Sequence, residues 1–296
     1  MKLKKKKPET FDLVNGVVMI LMMAVMIFPF WYCIAGSLND GTDYLRGGVY
    51  LWPREFVLSN YKAVFRDASI FNAFKITILK SIVGTATSLM VTALAAYAMT
   101  RPALKGKRFY APFMTLTMYF GGGLIPYFII IKDLHLYDSF WVYIIPGLFS
   151  VWNMIILRSF FAELPGELIE AAKLDGAGEY RIFFQIVLPL SKAVLATIVL
   201  FSLVGHWNSY FDSMMYTSSQ ELQTIQFFLK KMITDPGTAS SLASSAAMAI
   251  PAEARKVTPQ TIKLAAMVVT SLPIICVYPF LQKYFVKGTM VGSVKG

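Results

Sequence analysis

The chain has 296 residues, 56% of them apolar and 15% charged, with 23 Phe and 16 Met. A soluble domain carries about 25% charged residues, so this composition excludes a water-soluble globule and places most of the chain in lipid. The net charge of +11 is a matter of membrane topology; a nucleic-acid partner would need a basic surface outside the bilayer.

Crossing roughly 30 Å of hydrocarbon takes about 20 apolar residues in a helix. Six stretches meet this, at about 14 to 37, 76 to 99, 109 to 131, 139 to 160, 191 to 213 and 262 to 284. They predict an all-α integral membrane protein with a basic N-terminus over 1–13, a six-span body over 14–285 and a tail over 286–296.

Lys2, Lys4, Lys5, Lys6 and Lys7 precede the first span. Its apolar run is too long for the 7 to 15 residues of a signal peptide's core, and it ends in Trp31-Tyr32, natural interfacial anchors, rather than at a small-residue cleavage site. Cys33 and Cys276 read as small packing residues, not as a disulfide, and no Cys or His cluster suggests a metal site. Asn60-Tyr61 to Phe65 reads as an interfacial helix that anchors the chain. Lys75 and Lys80 are expected to snorkel from the outer end of span two. Arg101, Lys105, Lys107 and Arg108 crowd the link to span three, so that link and both termini, with Lys283, Lys287 and Lys295 in the tail, are predicted to be cytoplasmic.

Tyr119 with Gly121, Gly122 and Gly123 before Pro126 marks a break or close approach in span three. Pro146 and Pro273 predict kinks in spans four and six. Polar groups at depth face a bundle interior or a wet cavity, which singles out Asn153 in span four and His206, Asn208 and Asp212 in span five, beside Trp207 and Tyr210. Aromatic faces next to amides suit sugar rings, so Tyr119, Asn153, His206, Trp207, Asn208 and Tyr210 are the candidate lining of a substrate path; packing between helices is the competing role for His206. Outside the membrane, 38–75 and 214–261 form the long connections. In the second, Leu222, Ile225, Phe228, Leu229 and Met232 recur at helical spacing and predict an amphipathic helix over Gln220 to Ile233. A Ser- and Ala-rich stretch follows Pro236-Gly237, before breaks at Pro251 and Pro259.

The segment 161–190 lies on the cytoplasmic side in this arrangement. Pro165 suits the first turn of a helix, and Glu167 and Glu170 put negative charge near its positive end. Ala171 and Ala172 favour helix with little bulk, leaving a face that another protein could approach. Gly176 can adopt the left-handed conformation that closes a helix. A second short helix from about Glu179, interrupted by Pro189, completes an elbow suited to receiving a push. An ordinary amphipathic loop is the plainer alternative.

Glu170-Ala171-Ala172, three residues ending in Asp175, Gly176, nine residues, Ile186, one residue and Leu188-Pro189 resemble the EAA loop of permease subunits of ATP-binding-cassette importers. The resemblance extends over nearly the whole chain: the Trp-Asn pair of span five and the ending Tyr278 to Gly288 are similar to the maltose-permease-G type of carbohydrate importer, and Tyr119 to Pro126 with Gly292 to Gly296 to the LplC-like oligosaccharide permeases of Gram-positive bacteria. It implies the type I importer permease fold in the cell membrane, with Glu170, Ala171, Ala172, Asp175, Gly176, Ile186, Leu188 and Pro189 coupling to an ATPase. It also implies a heterodimer with a second permease subunit, two ATPase subunits that hold ATP and Mg, an extracellular solute-binding protein and a carbohydrate cargo. The chain itself would carry no cofactor and catalyse no reaction. In the family the 214–261 connection faces the binding protein, which implies docking; a lid packed on the permease is the alternative. A secondary transporter would need buried ionisable groups in spans one, three, four and six, and their apolar cores hold none. A membrane enzyme would need an acid, base or metal constellation, and no phosphate loop is present.

Overall fold

The computed structural model describes residues 10–249 and 257–292, with the side chains of 246, 247, 249, 278 and 280–292 excepted. The Lys2 to Lys7 run, Pro251, the tail lysines and the side-chain pattern of the Tyr278 to Gly296 ending therefore lie outside the described residues. In chain order the helices are α1 (Thr10–Ser37), α2 (Gly41–Leu45), α3 (Ser59–Arg66), α4 (Ala68–Thr100), α5 (Lys107–Tyr119), α6 (Leu124–Asp133), two short 3-10 turns (Phe140–Tyr143 and Ile145–Gly147) and α7 (Val151–Ala162). There follow α8 (Gly166–Leu174), α9 (Glu179–Ile182), a π turn (Phe183–Val187), α10 (Leu188–Leu190), α11 (Lys192–Asn208), α12 (Phe211–Tyr216), a 3-10 turn (Gln220–Leu222), α13 (Ile225–Thr234), α14 (Pro236–Ala249) and α15 (Pro259–Gly292). The chain divides into two compact units, Met1–Ala68 with Lys231–Ser271, and Ser69–Lys230 with Leu272–Gly296.

In the first unit α1 is an apolar helix whose spanning window has 0% of its residues buried. Its end is held by a polar knot. Asn39 accepts from the backbone N–H groups of Arg54 and Glu55 at 2.7 and 3.0 Å and donates to Asp43 at 2.9 Å, while Arg54 reaches the Asp43 carboxylate at 3.0 Å. Asp40 caps α2 through the N–H groups of Thr42 and Asp43, as a short acceptor side chain does at an N-cap. Asn60, expected at the membrane surface, is instead fully buried. Its amide donates to the carbonyls of Ser37 and Asn39 at 2.8 and 2.9 Å, and its oxygen accepts from the Thr261 hydroxyl at 2.8 Å. Asn60→Ala takes the amide donor from two buried carbonyls, at about 1 to 3 kcal/mol for an orphaned group, whereas the Thr261 hydroxyl keeps its bond to the Thr258 carbonyl at 3.1 Å. The purified protein should melt at a clearly lower temperature, and Asn60→Asp, which turns a carboxylate oxygen on the same two carbonyls in a buried site, should do no better.

The Ser- and Ala-rich stretch forms α14 and packs on α3, burying Ala239, Leu242 and Ala243. Its start is written in Asp235-Pro236-Gly237: the Asp235 carboxylate accepts from the Gly237 N–H at 2.9 Å and the Thr238 hydroxyl at 2.7 Å, and a proline costs nothing in a first turn.

In the second unit the predicted spans take less regular shapes. α4 is a single 33-residue rod. The third predicted span is broken: α5 and α6 meet at 114°, because Phe120 is extended and Gly123 takes a φ of +87°. Two helices of 13 and 10 residues at that angle do not cross a bilayer as one rod. The fourth bends by 47° between the 3-10 turns and α7, just after Pro146. The fifth starts at Lys192 and stops at Asn208, short of the 213 expected, and the 179–190 segment before it lies at 83° to it. The amphipathic helix expected from Gln220 starts only at Ile225, because Thr224 and Ile225 turn their N–H groups to the hydroxyls of Ser213 and Thr77.

Between α6 and the first 3-10 turn, Asp138 adopts a φ of +54°, which a short polar side chain tolerates better than most. Its carboxylate accepts from the Ser218 and Ser219 N–H groups at 2.9 Å and from the Ser219 hydroxyl at 2.5 Å. The Ser219 hydroxyl and these N–H groups hold its pKa down at about 2. An unfolded Asp titrates at about 3.9, so the folded pKa is depressed. This stabilisation is complete above roughly pH 4 and disappears as pH falls through about 2. The melting difference between wild type and Asp138→Asn should be constant at neutral pH and shrink in that window.

Candidate coupling elbow and polar helix break

The 161–190 segment folds as two short helices about a glycine. Pro165 is the N-cap of α8, one residue earlier than expected, with Glu167 in the first turn. At its other end Asp175 is the C-cap and Gly176 has a φ of +77°. The Gly176 N–H donates to the Lys173 carbonyl at 3.0 Å and the Ala177 N–H to the Ala172 carbonyl at 2.9 Å, the paired bonds of a Schellman turn. The two alanines divide their tasks. Ala171 is exposed, whereas Ala172 is half-buried and packs with Ala177 on the core, the apolar contact that accompanies this turn. Only Ala171 therefore belongs to the approachable face that both were expected to share.

The second arm runs from Glu179 through the π turn to Leu190. Pro189 has no N–H to give to the Gln185 carbonyl, and one residue is inserted just ahead of it. Ile182, Phe183 and Val187 are buried against Ala93, Ala96 and Tyr97 of α4, Leu157 and Phe161 of α7 and Ile198 of α11. Ile186 and Leu188 pack on the same core, while Pro189, Glu170 and Asp175 face outward. Glu179 joins the arms: Lys173 reaches its carboxylate at 2.8 Å and the Tyr97 hydroxyl donates at 2.5 Å. The Lys173 ammonium, then the Tyr97 hydroxyl, lowers the Glu179 pKa. Arg101 lies 4.4 Å over the Tyr97 ring. On the outer side Leu174 is 90% exposed and Tyr180 77%, with Leu168 and Phe184 also exposed. A cavity of about 540 Å³ lies between the α4 end and this arm, lined by Tyr97, Arg101, Leu104, Tyr180 and Phe183 among others. The elbow is thus packed on the core on one side and exposes Leu174 and Tyr180 on the other.

The second constellation surrounds the break between α11 and α12. The Ser209 hydroxyl donates to Asp212 at 2.8 Å. Lys80 of α4 is among the largest fully buried side chains of the described residues, 1% exposed. Its ammonium lies 3.7 Å from the Asp212 carboxylate, 3.4 Å from the Ser209 carbonyl and 4.8 Å from the centre of the Tyr143 ring. The snorkelling expected of Lys80 is corrected: a carboxylate, a carbonyl and an aromatic face stand in for water, so the chain turns inward.

His206, Trp207, Asn208 and Tyr210 gather at this break. His206 packs between α4 and the turn before α7; a Cβ on Gly84 would meet its ring at 2.6 Å and one on Gly147 at 3.9 Å. This is its packing role. Trp207, expected to line the path, is only 7% exposed, with its ring 6.4 Å from that of Phe74. Buried beside Phe74 of α4, it does not line an open path. Asn208 and Tyr210 remain accessible, and Lys230 lies 4.4 Å over the Tyr210 ring. Asn153, half-buried in the first turn of α7, and Tyr119, exposed at the end of α5, stand on other elements. Sequence reasoning missed Tyr97, Glu179 and the partnership of Lys80; a lysine within an apolar run was the available signal for the last. Among the described residues no group of three or more His, Cys, Asp or Glu forms a metal site.

Residues 11–291 match the family described as binding-protein-dependent transport system inner membrane component. The protein LplC of Bacillus subtilis (strain 168) is 36% identical over 98% of this chain and 97% of its own length. The polygalacturonan/rhamnogalacturonan transport system permease protein YtcP of the same organism is 35% identical over 98% of this chain and all of its own. A crystal structure of a bacterial ABC transporter involved in the import of the acidic polysaccharide alginate superposes with a TM-score of 0.87 at 30% identity, covering 96% of this chain and 100% of that one.

Proposed function

Because the chain belongs to the family of binding-protein-dependent transport system inner membrane components, we propose that it is one of two permease subunits of an ATP-driven importer and forms half of the path for an oligosaccharide. The observation that carries this reading is the elbow. A body anchored by Ile182 and Phe183 and capped by the Gly176 turn, with Leu174 and Tyr180 outward, can pass on a displacement without deforming. ATP and Mg belong to two partner ATPase subunits, a second and similar permease closes the path, and an extracellular binding protein delivers the cargo. Both termini and the elbow face the cytoplasm of a Gram-positive cell, and 38–75 and 214–261 face outward.

The cargo we favour is an acidic oligosaccharide. Two relatives support it by what they handle, polygalacturonan or rhamnogalacturonan in one case and alginate in the other. The Lys230 ammonium over the partly exposed Tyr210 ring puts a cation and an aromatic surface together, the two features that a sugar bearing a carboxylate needs. Affinity purification of the tagged chain from its membranes should bring down an ATPase subunit and a second permease. The purified assembly should hydrolyse ATP faster with the binding protein and trigalacturonate than with the binding protein alone. Purification of the chain without an ATPase subunit would overturn the coupling reading; stimulation by neutral sugars only would overturn the acidic cargo.

A further inference from the structure

We propose that Lys80 is a positioning residue for transport, clamping the α11–α12 break so that Asn208 and Tyr210 are presented to the path. The inference rests on the permease reading and deepens it. An ammonium at 1% exposure within a 33-residue apolar helix is a costly choice where an aliphatic chain would fill the space. Its contacts account for the choice. The Ser209 carbonyl, 3.4 Å away, belongs to the C-cap of α11, where unpaired carbonyls gather negative potential. Asp212, 3.7 Å away, stands in the first turn of α12. One cation therefore holds the end of one helix and the start of the next, and the Ser209 hydroxyl bonded to the same Asp212 oxygen closes the triangle. Asn208 and Tyr210 flank Ser209 directly, so the angle that Lys80 sets is the angle at which both side chains emerge.

α4 gives the clamp a firm base. Thr77, one turn before Lys80, accepts from the Ile225 N–H at 2.9 Å, and Phe74 backs Trp207. One turn beyond, Gly84 admits the His206 ring so closely that a Cβ would meet it at 2.6 Å. Tyr143 covers the ammonium from the α7 side with its ring centre at 4.8 Å. Lys80 lies 20 residues before Thr100, about 30 Å at 1.5 Å per residue, which is a full hydrocarbon thickness from the elbow end of α4. The clamp thus stands far from where the elbow acts.

Two readouts test the proposal in the full chain with its partner subunits. In a chain with Cys33 and Cys276 replaced by Ser, N208C reports on the break through its rate of reaction with a maleimide. The rate should change at least about fivefold in K80M and in D212N and return to within about twofold of its starting value in K80R. In proteoliposomes supplied with binding protein and trigalacturonate, K80M should lower the maximal uptake rate at least about tenfold while the KM for loaded binding protein stays within about twofold. K80R should recover at least half of the loss, and K80M/D212N should be no worse than the poorer single variant. Unchanged maleimide reactivity in both single variants, or losses that multiply in the double, would overturn the clamp. If K80M does not assemble, D212N, isosteric and partly exposed, carries both readouts with the same limits. A wild-type assembly that ignores every oligosaccharide sinks the cargo reading alone, because the maleimide test needs no cargo.

Discussion

Gly176→Pro is expected to reduce cargo uptake by at least about tenfold while leaving the chain inserted in the membrane. The Gly176 φ of +77° is closed to proline, whose ring holds φ near −65°. The substitution also deletes the N–H that bonds the Lys173 carbonyl at 3.0 Å. It further disfavours the near-helical backbone of Asp175 before it. Together these cost about 3 kcal/mol or more locally and unwind the Schellman turn between the arms. Gly176→Ala provides the graded control, since a left-handed alanine costs only about 1 to 2 kcal/mol. It should keep a reduced but measurable rate. Uptake and binding-protein-stimulated ATP hydrolysis, measured on the same membranes, check this: equal rates for wild type and Gly176→Pro would mean that the elbow transmits nothing.

The second large effect separates docking from folding. Leu174 is 90% exposed, so Leu174→Asp removes no packing within the chain and should leave its melting temperature unchanged. On the proposed reading the same side chain is the one that an ATPase subunit would cover. Taking a carboxylate out of water against an apolar surface costs several kcal/mol, and each 1.4 kcal/mol is about tenfold in affinity. Co-purification of the ATPase subunit and cargo uptake should therefore both fall by more than about tenfold. Glu170→Ala, which takes away a helix-end charge worth about 0.3 to 1 kcal/mol, should be mild by comparison. A Leu174→Asp assembly that retains its ATPase and transports normally would place the contact elsewhere on the elbow.

The elbow was legible because every instruction for it is local. Pro165, Glu167, the alanines, Gly176 and Pro189 each act within one turn of their own position, and the left-handed glycine follows from steric rules alone. The apolar stretches were legible from length and composition. Their breaks were not: three glycines and an extended Phe120 announce an interruption, but the 114° between α5 and α6 depends on what each half packs against. The inward turn of Lys80 is hidden from the sequence for the same reason. Nothing near it in sequence says that Ser209 and Asp212, some 130 residues on, will replace its water. Trp207 shows the limit of residue type as evidence, because an indole that suits a sugar suits Phe74 equally well. Tyr97 and Glu179 escaped notice because their bond joins positions 82 apart.

The hydrogen bond from Thr261 to Asn60 joins residues 201 apart in the chain, and this separation orders events during synthesis. α1 needs nothing from the rest of the chain to enter the bilayer, since none of its spanning window is covered by later residues. The knot at its end is complete only when α15 emerges. At about 5 to 20 residues per second, a ribosome takes roughly 10 to 40 s to travel that distance. Through that interval Asn60 has no Thr261 hydroxyl to accept from, and the α3 face that later receives α14 stays open. The nascent first unit therefore keeps this face uncovered until α14 and α15 are made, and a chain truncated before Thr258 should decay faster than the full chain in a pulse-chase experiment even though its first span is inserted.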